Sequence, residues 1–198
     1  MTYRQLLGDL DLWFARGVAD AGPGVVLCRR GCAACCHGPF DISPADALLV
    51  ASAVTALDPT TQAPVRMRAA AQLSRYAELA AEWPAPWDME TIGDAIFDEI
   101  SDALADEPCP ALDANGACLI YDARPATCRM TGLGMESRQG DVLENVCPIL
   151  DTSRAFAELS PTLFDLSHFE DHAEHWDGIA MARGWVSTTV AGAIARNA

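Results

Sequence analysis

The sequence has few basic residues and no long apolar run. Lys and Arg together number 13, against 28 Asp and Glu, and the formal net charge is −15. Because nucleic acids and anionic membranes are bound through basic faces, we expect neither a nucleic-acid partner nor a membrane partner. The longest apolar candidate, 45–57, is shorter than the ~20 residues of a membrane-spanning helix and contains Asp46. No membrane-spanning helix is therefore expected.

The sequence also lacks the signatures of several enzyme classes and of export. It contains no glycine-rich phosphate loop, no nucleotide motif of a methyltransferase and no Ser, His and Asp order typical of a hydrolase. A substrate, whether a small molecule or a protein, is therefore not identified, and neither is an enzymatic activity. Acids stand in the amino-terminal segment where a secretion signal has its apolar centre, which predicts a cytoplasmic protein with reduced thiols.

Helical patterns begin near the amino terminus. Apolar residues recur at three- and four-residue steps from Leu6 onward, which predicts an amphipathic first helix ending near 22–24. A second helix is predicted over about 44–57. Ser43 before it can accept hydrogen bonds from free backbone N–H groups, the proline that follows suits the first turn, and Asp46 matches the helix dipole.

Further helices and one loop-rich part are predicted for the rest of the chain. Alanine-rich and apolar stretches introduced by proline-bearing turns predict helices, whereas prolines and glycines interrupt the short apolar runs that follow them. Helix-forming composition returns in the tail. The predicted elements are helices over about 64–83 and 88–105, a loop-rich part over 108–150, and a helical extension over 152–198 with breaks near Pro161, Gly178 and Gly184.

Eight cysteines carry the chemistry of this chain. Four of them fall within 28–36, and the other four lie in the loop-rich part. In a reducing compartment this density favours metal ligation over disulfides or packed thiols, because thiolates bind zinc and iron. The two-residue spacing between Cys32 and Cys35 lets both sulfurs reach one metal. The predicted metal ligands are Cys28, Cys32, Cys35, Cys36, Cys109, Cys118, Cys128 and Cys147.

The arrangement of these cysteines leaves the number of metals open. Cys35 and Cys36 are adjacent, and consecutive side chains usually point apart, so either one is a bystander or more than one metal is bound. Four-cysteine zinc sites usually have paired two-residue spacings, and only one such pair is present here. This irregularity favours an iron–sulfur cluster of the 4Fe-4S type, with zinc as the alternative.

The first three cysteines also have the spacing of a known cluster motif. Cys28-x3-Cys32-x2-Cys35 equals the arrangement by which radical S-adenosylmethionine enzymes hold a four-iron cluster with one iron open. Those enzymes are built from repeated strand–helix units, and this sequence has no such alternation. We therefore predict a mainly α fold with little β, a single domain over 1–198 in which helices surround a loop-rich, cysteine-ligated metal centre.

The second cysteine segment resembles a known family. Cys118-x-Ile-Tyr-x-x-Arg-Pro-x-x-Cys128-Arg, the adjacent pair at 35–36 and the later Cys147 resemble the CxxCxxCC family of zinc- or iron-chelating domains, often called YkgJ-type cysteine-cluster proteins. The resemblance covers about 28–147 and implies that these cysteines bind metal. Many members have two residues where this chain has three after Cys28. The family includes a flagellin lysine N-methylase that looks dependent on an iron–sulfur cluster and S-adenosylmethionine.

Residues near the cysteines can support a metal centre. Arg124 and Arg129 can offset the charge of thiolates by donating to sulfur or to carbonyls, although ordinary surface arginines fit equally well. His37 directly follows a cysteine and is expected to hydrogen-bond a thiolate rather than to ligate metal. The turn residues 113–116 are expected to fold Cys109 and Cys118 toward each other.

Three histidines recur in the tail at helical spacing. His168, His172 and His175 share one helical face with several carboxylates, and imidazole with carboxylate is a credible ligand set for iron or zinc. An exposed polar face is the favoured interpretation. Three functions remain open: an iron–sulfur protein with redox or S-adenosylmethionine-dependent chemistry, a structural zinc module, and a metal buffer or delivery protein.

Overall fold

The computed structural model describes residues 1–136, 142–143, 147 and 164–196. Within these ranges the protein is mainly α with little β, as predicted. Its α-helices are α1 Tyr3–Ala21, α2 Pro44–Thr55, α3 Pro59–Leu79, α4 Asp94–Ala103, α5 Ala126–Met130, α6 Leu166–Ala182 and α7 Val190–Ala195. Its strands are β1 Asp41–Ile42, β2 Met135–Glu136, β3 Val142–Leu143, β4 Phe164–Asp165 and β5 Thr188–Thr189. Short 3₁₀ helices occupy Met89–Thr91 and Tyr121–Ala123.

The first two helices have local capping signals at their starts, and α1 ends at the predicted glycine. Thr2 accepts a hydrogen bond from the Gln5 N–H, and the Gln5 side chain accepts one from the Thr2 N–H, which forms a capping box before α1. Gly22, with a φ of 89°, follows the last residue of α1. Ser43 caps α2 by accepting from the Asp46 N–H at 3.3 Å. The predicted end of α1 and the predicted start of α2 are confirmed, and α2 ends at Thr55, two residues before its predicted end.

Two helix starts in the middle of the chain were predicted wrongly. α3 begins at Pro59 instead of Pro64, because the Asp58 carboxylate caps the N–H groups of the first turn. Pro64 lies inside this helix, where it removes one intrahelical hydrogen bond near the amino-terminal end. The predicted helix over 88–105 is instead a 3₁₀ turn followed by α4, which starts after Gly93.

Two further corrections concern the loop-rich part and the tail. α5 lies within 108–150, directly after Pro125, so a short helix interrupts the predicted loops. α6 continues through Gly178, since a glycine inside a helix lowers its stability without ending it. The break at Gly184 is confirmed, with a φ of 82° after the helix end. The break near Pro161 lies outside the described residues.

The described chain falls into two compact units, and the extent of the folding domain stays a prediction. The first unit comprises Met1–Cys35 and Ala126–Trp176, and the second comprises Cys36–Pro125 and Asp177–Ala198. No helix in the described ranges has both the length and the apolar character needed to cross a membrane.

The first unit packs α1 against α5. Its apolar cluster is formed by Trp13, Val26 and Leu133. A Cβ added to Gly17 would lie 2.6 Å from a Leu133 methyl carbon, so glycine permits this close approach. β2 pairs antiparallel with β3 and parallel with β4.

The second unit places α7 against α2 and α3. Fully buried side chains fill this core, among them Val50, Val65 and Ile194. β1 and β5 pair antiparallel, with Asp41 opposite Thr189. The carboxylate of Asp177 accepts from the Ala45 N–H at 2.9 Å, which joins α6 to the start of α2. α3 therefore forms one side of this core. It also contacts the segment that contains Cys109.

Candidate metal centre

The eight cysteines are divided between the two units. Every cysteine stands at a described position, and none forms a disulfide. Cys147 is buried, whereas the other seven are half-buried. The first unit contains Cys28, Cys32, Cys35, Cys128 and Cys147, and the second contains Cys36, Cys109 and Cys118.

The first cysteine cluster begins with a tight turn. The Cys32 N–H donates to the Arg29 carbonyl at 2.9 Å, and Gly31 within this turn has a φ of 88°. Such a positive φ suits glycine, because it has no Cβ. Cys28 packs against the apolar cluster of the first unit, and this contact anchors the turn to the core of that unit.

The later cysteines of the first unit lie on and just beyond α5. Cys128 is inside α5. Gly132 follows with a φ of 110°, and a Cβ built there would lie 3.8 Å from that of Cys147. Arg129 is 6% exposed, and its guanidinium donates to the Asp11 carboxylate of α1. This ion pair fixes the helix that carries Cys128, while the predicted support of a metal by Arg129 stays a prediction.

A short backbone ladder joins the two cysteine segments within the second unit. The Cys109 N–H donates to the Cys36 carbonyl at 2.8 Å, and the Gly38 N–H donates to the Glu107 carbonyl at 2.7 Å. Between these hydrogen bonds, His37 lies opposite Pro108 in an antiparallel bridge. The ladder therefore brings two predicted ligands from distant parts of the chain next to each other. The predicted hydrogen bond from His37 to a thiolate stays a prediction.

The segment between Cys109 and Cys118 forms the predicted turn. The Asp113 carboxylate accepts from the N–H groups of Asn115 and Ala117, each at 2.8 Å. These backbone hydrogen bonds, that of Ala117 first, lower the pKa of Asp113. A bridge then pairs Cys118 with Leu112. The turn thus returns the chain toward the part that contains Cys109.

α3 holds the Cys109 segment by two arginines that the sequence analysis did not single out. Arg68 donates from Nε to the Pro110 carbonyl at 3.0 Å and from Nη2 to the Leu112 carbonyl at 2.7 Å. Arg75 forms an ion pair with Glu107. The sequence feature that could have identified them is their seven-residue spacing, which places both arginines on one face of a helix.

A buried tyrosine on α3 lies near Cys109. Burial is the main cause that raises the pKa of Tyr76. The charges of Cys109 and Glu107 raise this pKa further, whereas the nearby Thr189 side chain lowers it. α3 thus carries Tyr76 and holds the segment that contains Cys109.

The remaining predicted residues have the following places. The Arg124 guanidinium lies 3.8 Å from the centre of the Tyr121 ring, an arrangement typical of a cation–π contact. His168, His172 and His175 all lie on α6. His175 is exposed, and its ring meets that of Trp176 edge-on, 5.4 Å between centroids. The metal-supporting role of Arg124 stays a prediction.

The described residues do not complete a coordination shell. No group of three Cys, His, Asp or Glu side chains in residues 1–136, 142–143, 147 and 164–196 lies close enough to hold one ion. The ligand set of eight cysteines therefore stays a prediction. The donors nevertheless fit zinc or iron in their chemistry, since thiolates are preferred ligands of both metals, and the ladder sets Cys36 beside Cys109.

Eight cysteines without a disulfide, seven of them half-buried, are typical of the thiol-rich metal-binding class of protein. This chain belongs to the CxxCxxCC family, described as a "Putative zinc- or iron-chelating domain", whose model matches residues 27–148. The match includes both cysteine segments and confirms the resemblance to the CxxCxxCC family, while the YkgJ-type and flagellin methylase links stay predictions. By family, the protein is a chelator of zinc or iron. No curated protein and no solved structure matches the chain.

Proposed function

We propose that the protein holds an iron–sulfur cluster of the 4Fe-4S type and uses it for redox chemistry. The observation that carries this proposal is the irregular arrangement of its reduced, part-buried thiols. Only Cys32 and Cys35 have the two-residue spacing that structural zinc sites usually repeat. A 4Fe-4S cluster takes four cysteine ligands, so the proposed ligands supply this cluster and either a second four-cysteine site or a second ion. They are Cys28, Cys32, Cys35, Cys36, Cys109, Cys118, Cys128 and Cys147.

The local geometry supports this proposal in both units. In the first, the turn at Cys32 and the anchored helix α5 present thiols from rigid backbone. In the second, the ladder places Cys36 beside Cys109. Partial burial limits the access of water and oxygen to sulfur, which favours a stable thiolate-bound cluster. When bound, such a cluster supplies electron transfer or, with one iron open, a binding position for a substrate or S-adenosylmethionine.

The cytosol is the compartment that we propose for this chemistry. Eight cysteines without a disulfide fit a compartment that keeps thiols reduced. Metal ligation requires the same condition, because the thiolate is the ligand.

The second candidate function is zinc binding. The protein would then be a structural module, a metal buffer or a delivery protein. This candidate is favoured by the turn between Arg29 and Cys32, followed by the two-residue spacing to Cys35. A backbone turn beside closely spaced cysteines is typical of zinc sites too. The family description includes both metals.

Elemental analysis of protein purified without oxygen tests the proposal. We expect iron and acid-labile sulfide in equal amounts and a brown protein with broad absorption near ~400 nm, the region of sulfur-to-iron charge transfer. A matched sample is stripped with chelator and reloaded with iron and sulfide. A colourless protein that contains zinc in fixed ratio and that cannot be reconstituted with iron would overturn the iron–sulfur proposal and support the zinc module.

A further inference from the structure

One face of α3 fastens the Cys109 segment from both sides. Arg68 binds the carbonyls of Pro110 and Leu112, and Arg75 binds the Glu107 carboxylate. Two helical turns separate these arginines, which is about 10 Å along the axis. An extended segment of three or four residues has about the same length. Arg68, nearer the start of α3, binds the later residues of the segment, and Arg75 binds the earlier Glu107. The segment therefore runs antiparallel to α3, and Cys109 lies between these two contacts.

Two buried donors of α3 lie on the same face and lack a well-formed hydrogen bond within the described residues. Gln72 is 4% exposed and Tyr76 is 1% exposed. Gln72 Nε2 has no hydrogen-bond partner there, and the Tyr76 hydroxyl meets the Thr189 side chain only outside normal hydrogen-bond distance and angle. Gln72 follows Arg68 by one helical turn and Tyr76 follows by two, so all three share one face. A buried donor without an acceptor is unfavourable, which indicates that an acceptor is missing.

Sulfur of Cys109 is the acceptor best placed for these donors. Several nearby main-chain acceptors are already engaged: Arg68 occupies the Pro110 and Leu112 carbonyls, and the Cys109 N–H occupies the Cys36 carbonyl. Cys109 lies between Glu107 and Pro110, which Arg75 and Arg68 bind, and Gln72 lies between those two arginines on α3. A thiolate accepts several hydrogen bonds, and metal binding keeps the cysteine in that form.

We infer that Gln72 and Tyr76 are positioning residues that donate hydrogen bonds to the Cys109 thiolate when it binds metal. This inference rests on the proposed function, since it requires that Cys109 be a ligand. Hydrogen bonds to a ligating sulfur withdraw electron density from it, orient it and raise the reduction potential of an iron–sulfur cluster. The two residues therefore tune the metal as well as hold its ligand.

Two conservative variants of the full chain test this inference. Tyr76→Phe and Gln72→Leu remove the donors while keeping similar volumes. Loaded with Co(II), each variant should bind the same amount of metal as the wild type, show a shifted thiolate-to-cobalt absorption band, and lose cobalt to a chelator about tenfold faster or more. In protein reconstituted with iron and sulfide, each should lower the reduction potential of the cluster.

Matched controls separate tuning from a general loss of packing. Gln62→Leu changes a glutamine on the same helix whose Nε2 donates to the carbonyls of Val54 and Thr55. Tyr3→Phe changes a buried tyrosine of α1. Both controls should keep the wild-type cobalt band and potential, even where stability falls. Tyr76→Phe removes one oxygen only, so it tests the inference if Gln72→Leu folds poorly.

The outcomes distinguish this inference from the function on which it rests. If the wild type binds cobalt through thiolates and both donor variants have its band, release rate and potential, the inference is wrong while metal binding stands. If the wild type shows no thiolate-to-cobalt band and takes up no iron, both fail. A shift in the donor variants that the controls lack supports both.

Discussion

Arg129 has a structural contact that its position in the sequence does not reveal, while its predicted support of a metal stays a prediction. Its position next to Cys128 suggests that it offsets thiolate charge. The structure pairs its buried guanidinium with Asp11 of α1. A buried cation without a partner is strongly unfavourable, so this carboxylate is needed for the packing of α5 whatever the metal does. Charge balance at this residue is therefore provided by a helix that contains no cysteine.

Substitution of Asp11 tests this role of the ion pair. Asp11→Asn should lower the free energy of unfolding by about 1–2 kcal/mol, less than for a fully buried pair because the Asp11 side chain is 46% exposed. Urea denaturation of the protein measures this change. Asp9→Asn, on an exposed position of the same helix, should change stability by less than about 0.5 kcal/mol. Equal effects of the two substitutions would contradict the assignment.

Helix α3 shows, at the scale of elements, how a cap competes with a proline signal. A proline often marks a first turn, which made Pro64 a plausible start. Asp58 caps the backbone earlier, accepting from the N–H groups of Thr60 and Thr61. The start matters for function, because α3 carries the arginines that hold the Cys109 segment. A correct register of this helix thus positions a predicted ligand.

The Asp58 cap predicts a specific acid sensitivity of α3. Hydrogen bonds from the Thr60 side chain and then the Thr61 side chain and backbone lower the pKa of Asp58 from 3.8 to about 2. Because the folded pKa is the lower one, the stabilisation is complete above about pH 4. It is lost as the pH falls toward 2. Carboxyl NMR titration should give the low pKa of Asp58. Its carboxyl resonance should move from upfield to downfield as the pH rises through that pKa.

Variants at the same position check that the carboxylate acts as a cap. Asp58→Ala should lower the melting temperature at pH 7 and remove the pH dependence between about 4 and 2. Asp58→Ser keeps a capping oxygen without a charge and should retain most of the stability at pH 7. An unshifted pKa in the NMR titration would show that the capping hydrogen bonds do not form in solution.

Long-range pairing defines the cysteine surroundings at the scale of the whole molecule. The turns at Cys32 and at Asp113 are local features, and the sequence predicts the second of them. The ladder between Cys36 and Cys109 is not local, because its strands are separated by three helices along the chain. Metal ligation by both Cys36 and Cys109 would couple the helical fold to the metal, since an unfolded chain has no preformed site.

Removal of metal should consequently destabilise the whole protein. With free metal at a hundredfold excess over its dissociation constant, we expect about 3 kcal/mol of added stability, following mass action. Calorimetry before and after chelation measures it as a change in melting temperature. Cys118→Ser in the second unit and Cys128→Ser in the first should each reduce metal content and most of this gain.

The metal-free proteins provide the control for that experiment. Without metal, the wild type and the two serine variants should have nearly equal melting temperatures, because the substitutions change little besides ligation. A large difference between them in the metal-free form would mean that these cysteines matter for packing. Equal melting temperatures of wild type with and without metal would contradict the coupling of metal to fold.

The sequence by itself determined the fold class, the end of α1, the capped start of α2, the family and the thiol chemistry. These depend on local signals: periodicity, capping side chains near the backbone they bind, and cysteine spacing. Only the tertiary structure decided that Cys36 pairs with Cys109, that α3 holds this segment, and that Asp11 neutralises Arg129. Such contacts join residues far apart in the chain, so their partners are selected by the packing of complete helices and by the burial of charge, which no local pattern specifies.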